Sequence, residues 1–224
     1  MTKLTFLATT LVLAAVCDPA PVDPPAPVAA VFEVPRAGVA PSEFYALPFP
    51  SDIRRDDAGH PIMTDYPVPV GIIGRYTAAM AKLDGFGLNA AIFQRFSGPI
   101  DPASLPADAA ASMAEPASVY LVDVDPASPT RGARHPLRFR FQDRAGFTIG
   151  PNWLAALPYP GFPLREHTTY ALVVTDRVRT TDAPVLVDDD FAAIAGAAAP
   201  ADPALARAQA RYAPLWTWLD EPGG

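Results

Sequence analysis

Proline occupies 28 of the 224 positions, twice the 14 glycines. A typical chain carries roughly one proline in twenty; here it is one in eight. Proline lacks the N–H that a helix interior or a central strand needs, and its ring clashes with the preceding helical turn. A helical bundle is therefore excluded. What remains is many short strands joined by turns, with a proline-rich linker. Half the residues are hydrophobic and 18% are charged, enough apolar matter for a core in a chain of this length. The formal charge of −7 repels phosphate backbones, so nucleic acid is excluded as a partner. The single cysteine leaves neither an intramolecular disulfide framework nor a cysteine-based zinc site.

Residues 1–16 have the parts of a secretory signal: Lys3 at the positive end, then the apolar run Leu4 to Val16. That run is shorter than the ~20 residues a helix needs to cross about 30 Å of hydrocarbon. The chain is expected to be exported to the cell envelope, in the periplasm or at the outer membrane or cell surface. Leu13-Ala14-Ala15-Val16-Cys17 resembles a bacterial lipobox, which implies lipidation of Cys17 and a membrane contact through that anchor. The alternative is an ordinary signal with an incidental thiol. Residues 17–30 read as an extended, solvated Pro/Ala linker.

The folded part is expected to have three segments. Residues 31–87 are turn-rich, and Arg54-Arg55-Asp56-Asp57-Ala58-Gly59 reads as a solvated polar turn rather than a phosphate or cation clamp. Ile72, Ile73, Tyr76, Met80 and Leu83 recur at helical spacing and predict one amphipathic helix over 71–84, its stripe packed in the core. Over 88–187 the period becomes two. Strands are predicted at 91–96, 118–124, 137–142, 153–157 and 169–175, with Leu137, Phe139 and Phe141 alternating against Arg138, Arg140 and Gln142. With no helix between consecutive strands, the fold class is mainly β: an antiparallel Ig-like β-sandwich with short helices before and after it. Leu164, a polar turn and Thr168-Thr169-Tyr170 predict a tyrosine corner, in which the phenol bonds to backbone upstream.

Over 188–224 a helical segment is expected. Asp188-Asp189-Asp190 reads as a helix N-cap with charge favourable to the dipole, in preference to a calcium site. Asp202-Pro203 opens a further helix, which Pro214 should bend or break. Two Trp, two Leu and a Tyr between 212 and 219 form an apolar surface too large to leave wet, which either folds back on the sandwich or, as the favoured reading, stays open for a following domain. His60, His135 and His167 lack the spacing of a metal pair and sit in predicted turns, as do Asp123 and Asp125.

Phe96-Ser97-Gly98-Pro99-Ile100-Asp101-Pro102-Ala103-Ser104-Leu105, then Ser118 to Asp123, then Pro163-Leu164 to Thr175, resemble successive strands of bacterial Ig-like domains of the S-layer type. Upstream, Leu47-Pro48-Phe49-Pro50-Ser51-Asp52 and Lys82-Leu83-Asp84-Gly85-Phe86-Gly87 are similar to the N-terminal domain of the bacterial virulence-factor lipase family. There a comparable β-domain precedes an α/β-hydrolase domain. Together the similarity spans residues 44–182. No serine here has the flanking glycines of a nucleophile elbow, and no Ser-x-x-Lys occurs, so the resemblance carries over no catalytic residue. The expectation is a non-catalytic binding or structural module of an exported lipoprotein, with no cofactor or metal, facing a protein or cell-surface polymer. The alternative is the N-terminal accessory domain of a secreted lipase or esterase. A third, weaker reading is a small periplasmic carrier using an apolar cavity.

Overall fold

Each of the five predicted strands forms, and every one of them lies in an antiparallel sheet. The computed structural model describes residues 26–39, 43–68 and 70–221. The predicted signal over 1–16, Cys17 and most of the predicted linker lie outside the described residues. In chain order the strands are β1 (Ala29–Ala30), β2 (Ile92–Arg95), β3 (Val119–Asp123), β4 (Arg134–His135), β5 (Leu137–Gln142), β6 (Trp153–Pro158), β7 (Tyr170–Val174) and β8 (Leu186–Val187). The helices are α1 (Gly71–Met80), α2 (Ala109–Met113), α3 (Asp189–Ala195), α4 (Pro203–Arg211) and α5 (Ala213–Leu219). Two three-stranded antiparallel sheets have the orders β2-β6-β5 and β4-β3-β7, and β1 pairs with β8 in a separate two-stranded sheet. The fold is β-rich, with antiparallel sheets and few helices.

Side-chain alternation explains how these strands pack. On β5, Leu137 is buried while Arg138 and Arg140 are exposed. Its apolar members meet Leu154 and Ala156 of β6, Val119 and Leu121 of β3, and Leu172 of β7 in two adjoining apolar clusters. Phe96, Leu121, Leu137 and Leu154 are fully enclosed, and each such burial stabilises the fold by about 1.5–3 kcal/mol relative to exposure. Strand β3 does not alternate: all five residues are buried. Its second face explains this, because Tyr120 and Val122 pack against Leu215 and Trp218 of α5. A strand covered on both sides reads as an unbroken apolar run.

The ends of the described chain meet. Ala29 and Ala30 pair in parallel with Leu186 and Val187, so the stretch read as solvated linker is already hydrogen-bonded at Ala29. Phe32 and Val34 then share a cluster with Ile194 of α3 and Leu205 and Ala208 of α4. The acidic triplet is central to this joint. Asp188 caps α3, as expected, by accepting from the Asp190 N–H. It also accepts from the Phe32 N–H at 3.1 Å, while Asp190 accepts from the Val34 N–H at 2.9 Å.

Two expectations about helices are overturned. Helix α1 ends at Met80, and none of its residues is buried. Ile73, Thr77 and Met80 are half-buried, but Ile72 and Tyr76 are 62% and 61% exposed and Leu83 is exposed beyond the helix end. The five apolar positions lie within an arc of about 100°, an ordinary stripe width. The side that turns inward, however, is centred on the i, i+4, i+7 line through Ile73, Thr77 and Met80, at one edge of that arc, which leaves Ile72 and Tyr76 on the wet side. The C-terminal segment errs the other way. Pro214 does interrupt it, with α4 ending at Arg211 and α5 starting at Ala213. The resulting bend lets both halves reach the core, and Leu205, Ala208, Leu215 and Trp218 are buried. Burial pushes the Tyr212 phenol at the joint above its ordinary pKa. The chain itself covers most of the apolar surface predicted over 212–219: Leu215 and Trp218 are buried, Tyr212 and Trp216 are half-buried, and Leu219 is exposed.

The tyrosine corner is present as a hydrogen bond. The Arg165 N–H donates to Tyr170 Oη at 3.2 Å, across a turn in which His167 has φ 49°. The bond is exposed.

Candidate functional site

Of the residues singled out from the sequence, Cys17 lies outside the described residues. The histidines do not converge: His60 Nδ1 is 3.1 Å from the Leu83 carbonyl and His135 Nε2 is 2.7 Å from the Phe162 carbonyl. Among the described residues no group of three or more His, Cys, Asp or Glu is arranged to hold a metal ion. Asp123 and Asp125 serve the turn after β3, as expected. Asp123 is 1% exposed and accepts from Ser128 Oγ, Thr130 Oγ1 and the Asp125 N–H; Asp125 accepts from the Ala127 and Thr169 N–H groups.

The polar groups that do converge are arginines. A cleft of about 230 Å³ opens between α4 and the segments around residues 34–39 and 53–65. Arg36, Arg54, Arg55, Arg207 and Arg211 line it, together with Asp65. Arg36 bridges the starts of two helices, with Nη2 2.6 Å from Oδ1 of Asp190 in the first turn of α3 and Nε 2.9 Å from Oδ2 of Asp202, the N-cap of α4. Those hydrogen bonds, to Asp190 first and then Asp202, hold its guanidinium above the ordinary range. Asp202 is in turn held below the usual carboxylate range, chiefly by the Ala204 N–H it caps and then by Arg36.

Arg54 corrects the expectation of a solvated turn: its side chain is 2% exposed. Its Nη1 donates to both Asp65 oxygens at 2.7 and 2.9 Å, its Nη2 donates to the Phe44 carbonyl at 2.7 Å, and its guanidinium lies 4.0 Å from the Phe44 ring centroid. Its buried Nε–H has no acceptor among the described residues. Arg55 donates to the Gly59 and Asp84 carbonyls and to Asp52. The loop beyond it is the polar turn expected, with the Ala58 and His60 N–H groups on Asp56 Oδ1.

Arg207 and Arg211 differ from these three. They are exposed, and neither forms an ion pair or hydrogen bond among the described residues. They follow one another by one turn of α4, and with Ala204 and Ala208 they make up the helix face that lines the cleft. The doublet Arg54-Arg55 was visible in the sequence; its convergence with residues some 150 positions later was not.

A second cleft, of about 370 Å³, lies between the start of α2 and the outer face of β5, where Asp108, Arg138 and Tyr159 meet. Asp108 is occupied there in capping α2, accepting from the Ala111 N–H at 2.8 Å. Neither cleft is the purely apolar cavity that the carrier reading calls for. No family model, curated protein or solved structure matches the chain.

Proposed function

We propose that this chain is an exported, lipid-anchored module of the cell envelope, built on an Ig-like β-sandwich and serving as a binding or structural unit rather than as an enzyme. The observation that carries the reading is the apolar layer shared by the two antiparallel sheets, where Val119, Leu121 and Leu172 of one face Leu137, Leu154 and Ala156 of the other. Two sheets that bury one face each against a common layer are the plan of a sandwich. The Arg165–Tyr170 bond adds the corner such domains use where the chain crosses between sheets. Location rests on the sequence, through Lys3, the run Leu4–Val16, and Cys17.

The test is the intact mass of protein extracted from envelopes. The reading expects a mature N-terminus at Cys17 carrying a diacyl or triacyl addition, and release of the protein into the soluble fraction on Cys17→Ser. Full-length protein retaining Met1 in the cytosol removes it.

One observation favours a second reading, the N-terminal accessory domain of a secreted lipase or esterase. The exposed apolar residues Val70, Ile72, Tyr76 and Leu83 gather on and around α1, and such a face suits an apolar neighbour. An α/β-hydrolase reading frame continuous with the Gly224 codon or directly following it supports this reading. A stop codon with no such frame downstream removes it.

A further inference from the structure

Five guanidinium groups around one small cleft run against the overall charge of −7. The groups divide by role. Arg36, Arg54 and Arg55 are held by Asp190 and Asp202, Asp65, and Asp52 respectively. All four carboxylates are thereby committed to those three arginines and offset their charge, so the positive charge left at the cleft is that of Arg207 and Arg211. Arg207 and Arg211 remain outside that network.

From this arrangement we infer that the cleft binds a phosphate group, with Arg207 and Arg211 as its principal ligands and Arg54 as a buried third donor. The inference is independent of where the protein is located. Like charges one helical turn apart repel in an isolated helix, and a shared anion relieves that repulsion. The residues between and before them on the same face, Ala204 and Ala208, are small and leave room in front of the helix. Arg54 supplies the second, independent observation: it lines the cleft, is 2% exposed, and keeps an Nε–H without an acceptor. A buried donor left unmade costs about 1–3 kcal/mol, and such groups mark places where an ion or ligand belongs.

The donor set selects the ligand's chemistry. Two guanidinium forks and one further N–H need an acceptor with three terminal oxygens. A tetrahedral phosphate provides them; a carboxylate has two. The volume of about 230 Å³ limits the ligand to the phosphate and a small organic part. That excludes a long polyanion, which the overall charge of −7 also repels.

The experiment uses the full chain at low, matched ionic strength and titrates inorganic phosphate, glycerol 3-phosphate and acetate by calorimetry. Vesicles carrying phosphatidic acid form a further arm, so that a lipid headgroup is told apart from a soluble ester. Saturable binding of inorganic phosphate or either ester, weakened about tenfold or more by the double substitution Arg207→Ala and Arg211→Ala, supports the inference. Both side chains are exposed and unpaired, so this variant should keep the parent melting temperature, which is measured alongside. No saturation with any phosphate probe overturns the inference. So does equal binding by parent and variant, or acetate binding as tight as phosphate. Arg207→Lys with Arg211→Lys sharpens the result: retention of charge without the fork should recover only part of the affinity.

Discussion

Helix α1 and the pair α4–α5 begin from the same kind of sequence and end in opposite situations. Both carry apolar residues at helical spacing. Yet α1 buries no residue, with Ile72 and Tyr76 more than half exposed, whereas Leu205, Ala208, Leu215 and Trp218 of the C-terminal pair are enclosed. Polar anchoring separates them. Helix α4 begins on Asp202, whose carboxylate accepts from the Ala204 and Leu205 N–H groups and pairs with Arg36 from the other end of the chain. Gln209 on the same helix donates to the Gly196 carbonyl at 2.8 Å, fastening α4 to the end of α3. The N-cap of α1 is Val70, which has no side chain that can cap. An apolar stripe shows that a helix has a face to bury. Which face becomes covered depends on polar partners that a distant part of the chain supplies.

That contrast predicts its largest effect at Trp218. This ring is 6% exposed against Tyr120 and Val122, and Trp218→Ala should cost about 3–5 kcal/mol through lost transfer energy and a residual cavity. The matching change on the other helix, Tyr76→Ala, should stay within about 0.5 kcal/mol because its site is wet. Urea midpoints of the two variants measure the difference directly. Equal losses would show that the C-terminal helices are no better seated than α1.

The polar anchor comes next. Removing the Asp190 carboxylate leaves the Val34 N–H and one side of Arg36 without their acceptor, so Asp190→Ala should cost about 1–3 kcal/mol. Acid offers a second probe of the same joint, at Asp202. Its pKa is lowered on folding by the Ala204 N–H and by Arg36. A carboxylate with a depressed folded pKa contributes stability that is present in full above its unfolded value, about 3.9, and is lost as pH falls through the lower folded value. Between pH 5 and 2, about the range over which such a group protonates, the parent should therefore lose more stability than Asp202→Asn. Parallel acid limbs for the two proteins would detach Asp202 from the joint.

Local signals were legible in the sequence, and long-range ones were not. Alternation located β5 to the residue, and strand-forming runs bounded by turn residues located the other four predicted strands to within one, because both signals report local backbone geometry. Caps at Asp188 and Asp202 and the break at Pro214 were equally local. The two-residue strands β1, β4 and β8 escaped because so short a pairing leaves no periodic trace. The cleft escaped for a different reason: its arginines come from residues 36–55 and 207–211, and only the fold brings them together. The C-terminal apolar surface was misjudged because composition reports the amount of apolar area and not its cover. The clue was in β3, whose unbroken apolar run called for a second covering layer, and α5 is that layer.

A smaller effect is expected at the corner. Tyr170→Phe deletes one acceptor for the Arg165 N–H. Had that bond been enclosed, the stranded N–H would have been costly; exposed as it is, water replaces the phenol. The loss should be about 0.5–1 kcal/mol, read as a small drop in urea midpoint at constant slope. A loss several times larger would mean that the turn holding His167 depends on the bond for its geometry.

The smallest change in stability should come from the α1 surface, where the useful readout is different. Ile72 and Tyr76 lie one turn apart on one face, with Val70 before them and Leu83 beyond the helix end, all exposed. Apolar side chains in water form the kind of patch that binds hydrophobic dye or a second copy. The double variant Ile72→Lys and Tyr76→Lys should therefore melt within about 0.5 kcal/mol of the parent, since it removes no buried contact. It should nevertheless lose most of the dye signal and any tendency to associate. The equivalent change at exposed Leu219 of α5 should leave the signal nearly intact, because its apolar neighbours Leu215 and Trp218 are already covered. Dye binding that persists in the α1 variant and disappears in Leu219→Lys would reverse the comparison and place the open apolar face at the C-terminal helices after all.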